Sequence, residues 1–127
     1  MKYTFKLRNS SPASFHTLDP EKAIRLNAKT MYVASVQDVQ EMILAIPFGQ
    51  TLSTDQIRDA LAIKGGADTA CPVKVNSYWR WLAYAHEEEG GDPLPWWRVT
   101  FHGKLSAQLP GGIDEHRNRL MAEGVEL

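Results

Sequence analysis

The sequence contains one cysteine and four histidines in 127 residues. A single cysteine excludes an internal disulfide and any metal site built from several cysteines. His16, His86, His102 and His116 are too scattered to suggest a metal site. No stretch approaches the roughly 20 apolar residues of a membrane span, and no apolar run follows the first charged residues, so we expect no secretory signal. These absences favour a soluble, cytoplasmic protein that carries no cofactor.

The sequence also lacks a strong excess of charge, because 14 basic residues face 15 acidic ones. Proteins that bind nucleic acid strongly and indiscriminately neutralise many phosphates with Lys and Arg, so this balance argues against that class. Residues 1–40 nevertheless have a basic surplus of three. The segment that carries this surplus either follows a nucleic-acid backbone or is a solvated polar segment before the domain. The residues concerned are Lys2, Lys6, Arg8, Lys22, Arg25 and Lys29 against Asp19, Glu21 and Asp38.

Hydrophobic residues make up 43% of the chain, enough for one ordinary domain with its own core. Residues 1–30 show few periodic signals and several breakers, so we interpret them as an N-terminal extension with a short helix opening at Pro20. Residues 31–127 form the predicted domain. Within it, residues 31–34 read as a strand.

Three helices are predicted in the first part of this domain. Ser35 caps the first, Ser53 and Gln56 form a capping box at the second, and Pro72 opens the third, which runs to about Glu88. The third helix is apolar on almost every side, so other elements must surround it. We expect its aromatic residues to lie in the core, namely Tyr78, Trp79, Trp81 and Tyr84. We expect the acidic run at its end to be solvated, namely Glu87, Glu88 and Glu89.

After the third helix, the later part of residues 93–101 alternates as a strand does. A turn at His102 and Gly103 and a short return strand follow. Trp96 and Trp97 either alternate on the first of these strands, one in the core and one half covered, or face a pocket. A last helix covers residues 113–122. The predicted fold class is therefore α+β and mainly helical, a winged helix-turn-helix DNA-binding domain with a small β-hairpin wing.

Residues 31–127 resemble the DNA-binding domain of the alkylguanine-DNA alkyltransferases, and more closely the alkyltransferase-like proteins. Residues 46–53 (IPFGQTLS) look like the segment that leads into the family's helix-turn-helix. Residues 94–99 (LPWWRV) look like its active-site motif, Pro-Cys-His-Arg-Val in the enzymes. Residues 103–105 (GKL) and 110–112 (PGG), followed by Leu120 and Glu123-Gly124-Val125, resemble its closing turn and last helix. Ala70-Cys71-Pro72 and Trp96-Trp97-Arg98 are typical of a short microbial subgroup.

The resemblance implies that the chain is not an enzyme. Alkyl transfer needs an activated thiolate, but the matched motif has Trp96 in place of the acceptor cysteine and Trp97 in place of its histidine. Recognition remains, because family members extrude the target nucleotide into a pocket beside this motif. A tryptophan face there would stack on the base, with about 1–3 kcal/mol per base.

The third helix becomes the recognition helix, and the family uses the minor groove of double-stranded DNA. Lys74 is the nearest counterpart of the arginine finger, Thr54 matches a backbone-contacting tyrosine, and Arg98 braces the site loop. Lys104 and His102 at the hairpin tip are either phosphate contacts or an exposed turn. The predicted DNA- and lesion-binding residues are Trp96, Trp97, Arg98, Lys74, Thr54, Asn76 and Lys104.

The function implied is non-catalytic recognition of alkylated or distorted guanine, which assists DNA repair. We expect a nucleoid-associated monomer that passes the lesion to a repair-pathway protein. The alternative is a winged-helix module for general DNA or protein interaction in which lesion recognition is lost, favoured by the slightly acidic charge. A third reading, a working alkyltransferase that uses Cys71, is the weakest because Cys71 lies about 25 residues before the motif. A small buried cysteine at a helix start explains it more simply.

Overall fold

Helices account for most of the regular structure in the computed structural model, which describes residues 2–90 and 93–127. The expectation of a mainly helical α+β protein is confirmed, with 53% of the described chain helical. The helices are α1 (Lys2–Arg8), α2 (Pro20–Leu26), α3 (Val36–Leu44), α4 (Thr54–Gly65), α5 (Pro72–Glu89) and α6 (Gly112–Met121). The strands are β1 (Ser14–Thr17), β2 (Thr30–Val33), β3 (Leu52–Ser53), β4 (Thr69–Ala70) and β5 (Val99–Thr100).

The helix starts follow from the capping residues read in the sequence. The Ser35 side chain accepts a hydrogen bond from the backbone N–H of Asp38 at the start of α3. Ser53 and Gln56 form the expected reciprocal capping box at the start of α4. At the other end of α4, Gly66 takes a left-handed conformation with φ of 67°, which glycine adopts without steric cost.

The N-terminal segment contains more regular structure than its sequence predicts. Strand β1 pairs antiparallel with β2, from Ser14 opposite Val33 to Thr17 opposite Thr30, and β2 pairs parallel with β4. Helix α1 packs on α5, where the rings of Tyr3 and Tyr84 stack with centroids 4.8 Å apart. Residues on both sides of position 30 therefore share one sheet.

The strand expected in the later part of residues 93–101 is only partly correct. Trp96–Arg98 form a 3₁₀ turn, and only the two residues of β5 continue as a strand, paired parallel with β3. The expected hairpin shrinks to one bridge between Phe101 and Lys104. At its tip, His102 and Gly103 have φ of 53° and 85°, the positive values that a type I′ turn requires.

Helix α5 lies at the centre of the core. Val75, Tyr78, Trp79 and Ala83 are buried along its length, so the core position expected for Tyr78 and Trp79 is confirmed. Trp81 is partly buried and packs against the same cluster. Among the described residues, no helix combines the length and the apolar character needed to cross a membrane.

Candidate functional site

A cleft of about 490 Å³ separates α5 from residues 101–108. Its size falls in the range of small-molecule sites, roughly 300–1,000 Å³. Asn76 and Arg80 of α5 form one wall, and Phe101, Leu105 and Gln108 lie opposite. The cleft therefore combines apolar surface with a few polar groups, as ligand sites commonly do.

Asn76, on the polar side of the cleft, has a side-chain oxygen without a partner. Asn76 Oδ1 is buried, and no group in the described parts of the chain hydrogen-bonds to it. Leaving such an atom unsatisfied costs about 1–3 kcal/mol. Nearby, Arg80 Nη1 donates to Gln108 Oε1 at 3.1 Å and joins the two walls. Because Oδ1 is buried, an N–H group of a ligand in the cleft would reach it only after the Asn76 side chain turns toward the cleft.

The apolar side of the cleft exposes two large side chains. Phe101 is 41% exposed and Val73 is 66% exposed. An aromatic ring at the wall of a cleft is a surface on which a planar base can stack. Trp79 also lines the cleft, but it is nearly fully buried and its Nε1 donates to the carbonyl of Trp96 at 2.9 Å.

A buried histidine fixes the loop on one side of the cleft. His116 Nε2 lies 2.9 Å from the carbonyl oxygen of Trp97 and 3.1 Å from that of Val99, so it carries the proton. Nδ1 accepts the backbone N–H of Ser106 at 3.2 Å. Burial lowers the pKa of His116, although the two carbonyls act in the opposite direction. The neutral ring thus joins the tryptophan motif to the cleft loop.

Trp96 lies in the core and not at the cleft. Its side chain is fully buried, and the guanidinium of Arg119 covers its ring at 4.8 Å from the centroid. Trp96 Nε1 donates to Glu87 Oε1 at 3.3 Å, and Glu87 also pairs with Arg119. Glu87 is exposed, as expected, and is in addition paired with these two side chains. Stacking of a base on Trp96 would require the ring to be uncovered. The buried Trp96 and the partly buried Trp97 agree with the alternative in which one indole lies in the core and the other is half covered.

Trp97 and Arg98 are tied to the C-terminal segment by Glu123. Trp97 Nε1 donates to Glu123 Oε2 at 2.7 Å, and Arg98 Nε donates to Oε1 at 2.9 Å. Gly49 N–H donates to the same carboxylate at 2.9 Å. Burial acts to raise the pKa of Glu123, but these hydrogen bonds outweigh it and the pKa lies below its ordinary value. Arg98 Nη1 also donates to the carbonyl of Ile46 at 2.8 Å, which braces the motif against residues 46–49.

The other predicted site residues occupy three different places. Thr54 is buried and its Oγ1 accepts the backbone N–H of His102 at 3.2 Å, so in this structure it links α4 to the turn and is not available to a nucleic-acid backbone. Lys104 is exposed at the turn, where His102 Nδ1 lies 2.8 Å from Asp55. Lys74 lies outside the cleft, on the side of α5 that faces α1. Of the predicted set, only Asn76 lines the cleft.

Sequence reasoning missed several residues of the site. Phe101 and Gln108 carry no local signal of a cleft, because only the tertiary fold brings them opposite α5. Glu123 was noted as part of a motif but not as the partner of Arg98, which is 25 residues away. Cys71 is the N-cap residue of α5 and does not line the cleft.

Residues 2–90 and 93–127 contain no group of three or more side chains placed to bind a metal ion. Comparison with family models, curated proteins and solved structures finds no match to this chain. The resemblance to the alkyltransferase-like proteins accordingly stays a prediction.

Proposed function

We propose that this protein binds double-stranded DNA without catalysis and holds an extruded, alkylated or distorted guanine in the cleft beside α5. In this proposal α4 and α5 form the helix-turn-helix of a winged helix, α5 is the recognition helix, and the turn at residues 101–104 is the wing. Binding through the minor groove, where shape matters more than sequence, suits a near-neutral protein. The damaged site would then pass to a repair pathway.

The Asn76 side chain, which lines the cleft and has a buried oxygen without a partner, is the observation that carries the proposal. A guanine edge offers N–H donors as well as acceptors, so an amide side chain can bind it through complementary hydrogen bonds. Phe101 supplies a ring on which the base can stack. Flipping costs a few kcal/mol and less for a damaged base, so a modest stacking and hydrogen-bonding gain would favour lesions over normal pairs.

The absence of catalysis rests on the resemblance and on the chemistry of the motif. An indole is neither a nucleophile nor a base at neutral pH, and the two indoles of Trp96 and Trp97 occupy the positions where the related enzymes keep cysteine and histidine. The only thiol, Cys71, lies outside the cleft. We therefore expect no transfer of a methyl group from labelled DNA to the protein.

A binding titration tests the proposal with two duplexes that differ by a single methylated guanine. Fluorescence anisotropy should give at least a tenfold preference for the methylated duplex, about 1.4 kcal/mol. Asn76→Ala should reduce the preference, because it removes the amide from the cleft. Phe101→Ala should weaken lesion binding by about 1–3 kcal/mol, the value of one base–aromatic stack.

The matched control is Asn118→Ala, which removes the same side chain from the exposed face of α6 and should leave the preference unchanged. Trp96→Ala is a poor test, because truncation of a fully buried tryptophan costs about 3–5 kcal/mol of stability. Equal affinity for both duplexes, or a preference that survives Asn76→Ala and Phe101→Ala together, would contradict the proposal.

A second candidate is a winged-helix module that binds DNA or protein without regard to damage. The net charge of −1 and the buried position of Thr54 favour it. Equal, salt-sensitive binding to both duplexes would support this candidate for DNA.

A further inference from the structure

Three lysines lie along the junction of α1 and α5, on the side of α5 away from the cleft. A groove of about 390 Å³ runs between the two helices and is lined by Lys6 and Lys74 together with Tyr78 and Trp81. Lys2 lies one turn before Lys6 on α1. We call Lys2, Lys6 and Lys74 the basic seam.

Aromatic rings position these lysines without neutralising them. Lys6 Nζ stands 5.1 Å from the Trp81 ring centroid, and Lys74 Nζ stands 5.5 Å from that of Tyr78. Lys2 Nζ lies 5.4 Å from the ring of Tyr3. A cation held over an aromatic face keeps its full charge and N–H groups that still point to solvent.

No carboxylate within the described ranges lies within 4.0 Å of a seam ammonium group. Glu88 is an acidic group of this junction, and its side chain accepts the backbone N–H of Tyr3, the residue after Lys2, at 3.4 Å. Tyr3 and Glu88 mark the end of the junction opposite to Lys74. Lys6 and Lys74 therefore make the seam positive toward the start of α5, whereas Lys2 lies at the end where Glu88 is, in a protein that is slightly acidic as a whole.

The seam and the cleft share one helix. Val73 and Ser77 line the cleft while Lys74 and Tyr78, the next residues along the chain, line the groove of the seam. A duplex lying along the exposed strip of α5 would meet the cleft on one side and the seam on the other. Phosphates are the ligands that lysines bind as point charges.

We infer that the basic seam binds the phosphate backbone of DNA, so that α1 extends the recognition helix with a second row of phosphate-binding groups. This inference rests on the proposed function, since it places the same duplex on α5. It assigns α1 a role in affinity and none in lesion choice, because phosphate contacts position a protein on a duplex without reading it.

The experiment measures the salt dependence of binding for the same two duplexes. The slope of log affinity against log salt falls by about 1 for each phosphate that the protein no longer neutralises. Lys2→Gln/Lys6→Gln should therefore lower the slope by about 2. It should weaken binding to both duplexes by the same factor and leave the ratio of the two affinities unchanged. Lys22→Gln/Arg25→Gln on α2 changes the net charge equally and should leave the slope unchanged.

Two further measurements separate a loss of charge from a loss of structure. Lys2→Arg/Lys6→Arg should retain the wild-type slope, because it keeps the charge. Circular dichroism should show the same unfolding temperature for all variants, which excludes disturbed packing of α1 as the cause. The glutamines keep most of the apolar stem that packs on the rings.

The outcomes separate the inference from the proposed function. An unchanged slope for Lys2→Gln/Lys6→Gln, or an equal reduction for the α2 variant, would overturn the inference that the basic seam binds phosphates. The preference for the methylated duplex is independent of that result. A reduced slope with no lesion preference would support the seam and overturn the proposed function alone. A wild-type protein that binds neither duplex would overturn both.

Discussion

Replacing Glu123 with alanine tests how the tryptophan motif is held in place. The carboxylate accepts hydrogen bonds from Trp97, Arg98 and Gly49. The side chains of Glu123 and Arg98 are only 5% and 15% exposed. Removing one member of a buried ion pair costs about 3–5 kcal/mol, because the other charge stays buried without its partner. Arg98 keeps its bond to Ile46 and reaches some solvent, so we expect about 3 kcal/mol, the lower end.

Urea unfolding followed by circular dichroism measures this destabilisation. With a slope of about 1–3 kcal/mol per molar urea, the midpoint should fall by about 1–3 M. Glu126→Ala is the matched control, since Glu126 is exposed in the same C-terminal segment, and should change the stability by less than about 0.5 kcal/mol. Arg98→Ala/Glu123→Ala should cost less than the sum of the two single changes. A destabilisation below about 1 kcal/mol for Glu123→Ala would show that the pair behaves as a solvated one, and the reasoning would be wrong.

Two further predictions concern pH and packing. Burial lowers the pKa of His116 from 6.5, so below that pH the unfolded chain takes up more protons than the folded one. The free energy of unfolding should therefore decrease between pH 7.5 and pH 5. His116→Gln should remove the part of this decrease that His116 causes. A pH profile that is identical for the two proteins would contradict this. Gly65→Ala should destabilise the protein by about 1–3 kcal/mol, although alanine usually favours a helix, because the added Cβ would collide with the ring of Tyr32. Thermal unfolding decides the sign, and a raised midpoint would show that Tyr32 moves aside freely.

The helices could be predicted where local chemistry determines them. Local residues predict three helix starts: Ser35, Ser53 with Gln56, and Pro72. Helices α3, α4 and α5 begin at these places in the structure. The 3₁₀ turn at Trp96–Arg98 could not be predicted in this way, because two adjacent tryptophans suit a strand as well as a turn. What decides between them is non-local, since Trp79, Arg119 and Glu123 bind that turn from distant parts of the chain.

The candidate site was predictable only in part for the same reason. Asn76 follows from its place on α5, the predicted recognition helix, and it does line the cleft. The motif indicates that Trp96 could face a ligand. A motif gives the order of residues, but it does not show which distant side chains, such as Arg119, pack over them. The opposite wall of the cleft, with Phe101 and Gln108, lies on a loop that is hydrogen-bonded to His116 of α6, a contact that the loop sequence does not reveal.

The pairing of β1 with β2 has a practical consequence for preparing the protein. A shortened protein that begins at residue 31, where the family resemblance starts, would leave β2 with an open edge next to Val33. It would also uncover the aromatic face of α5 at Tyr84 and Trp81. Open strand edges and large apolar patches both promote self-association. Dimers or aggregates of such a fragment would reflect the cut and not the assembly state of the whole chain.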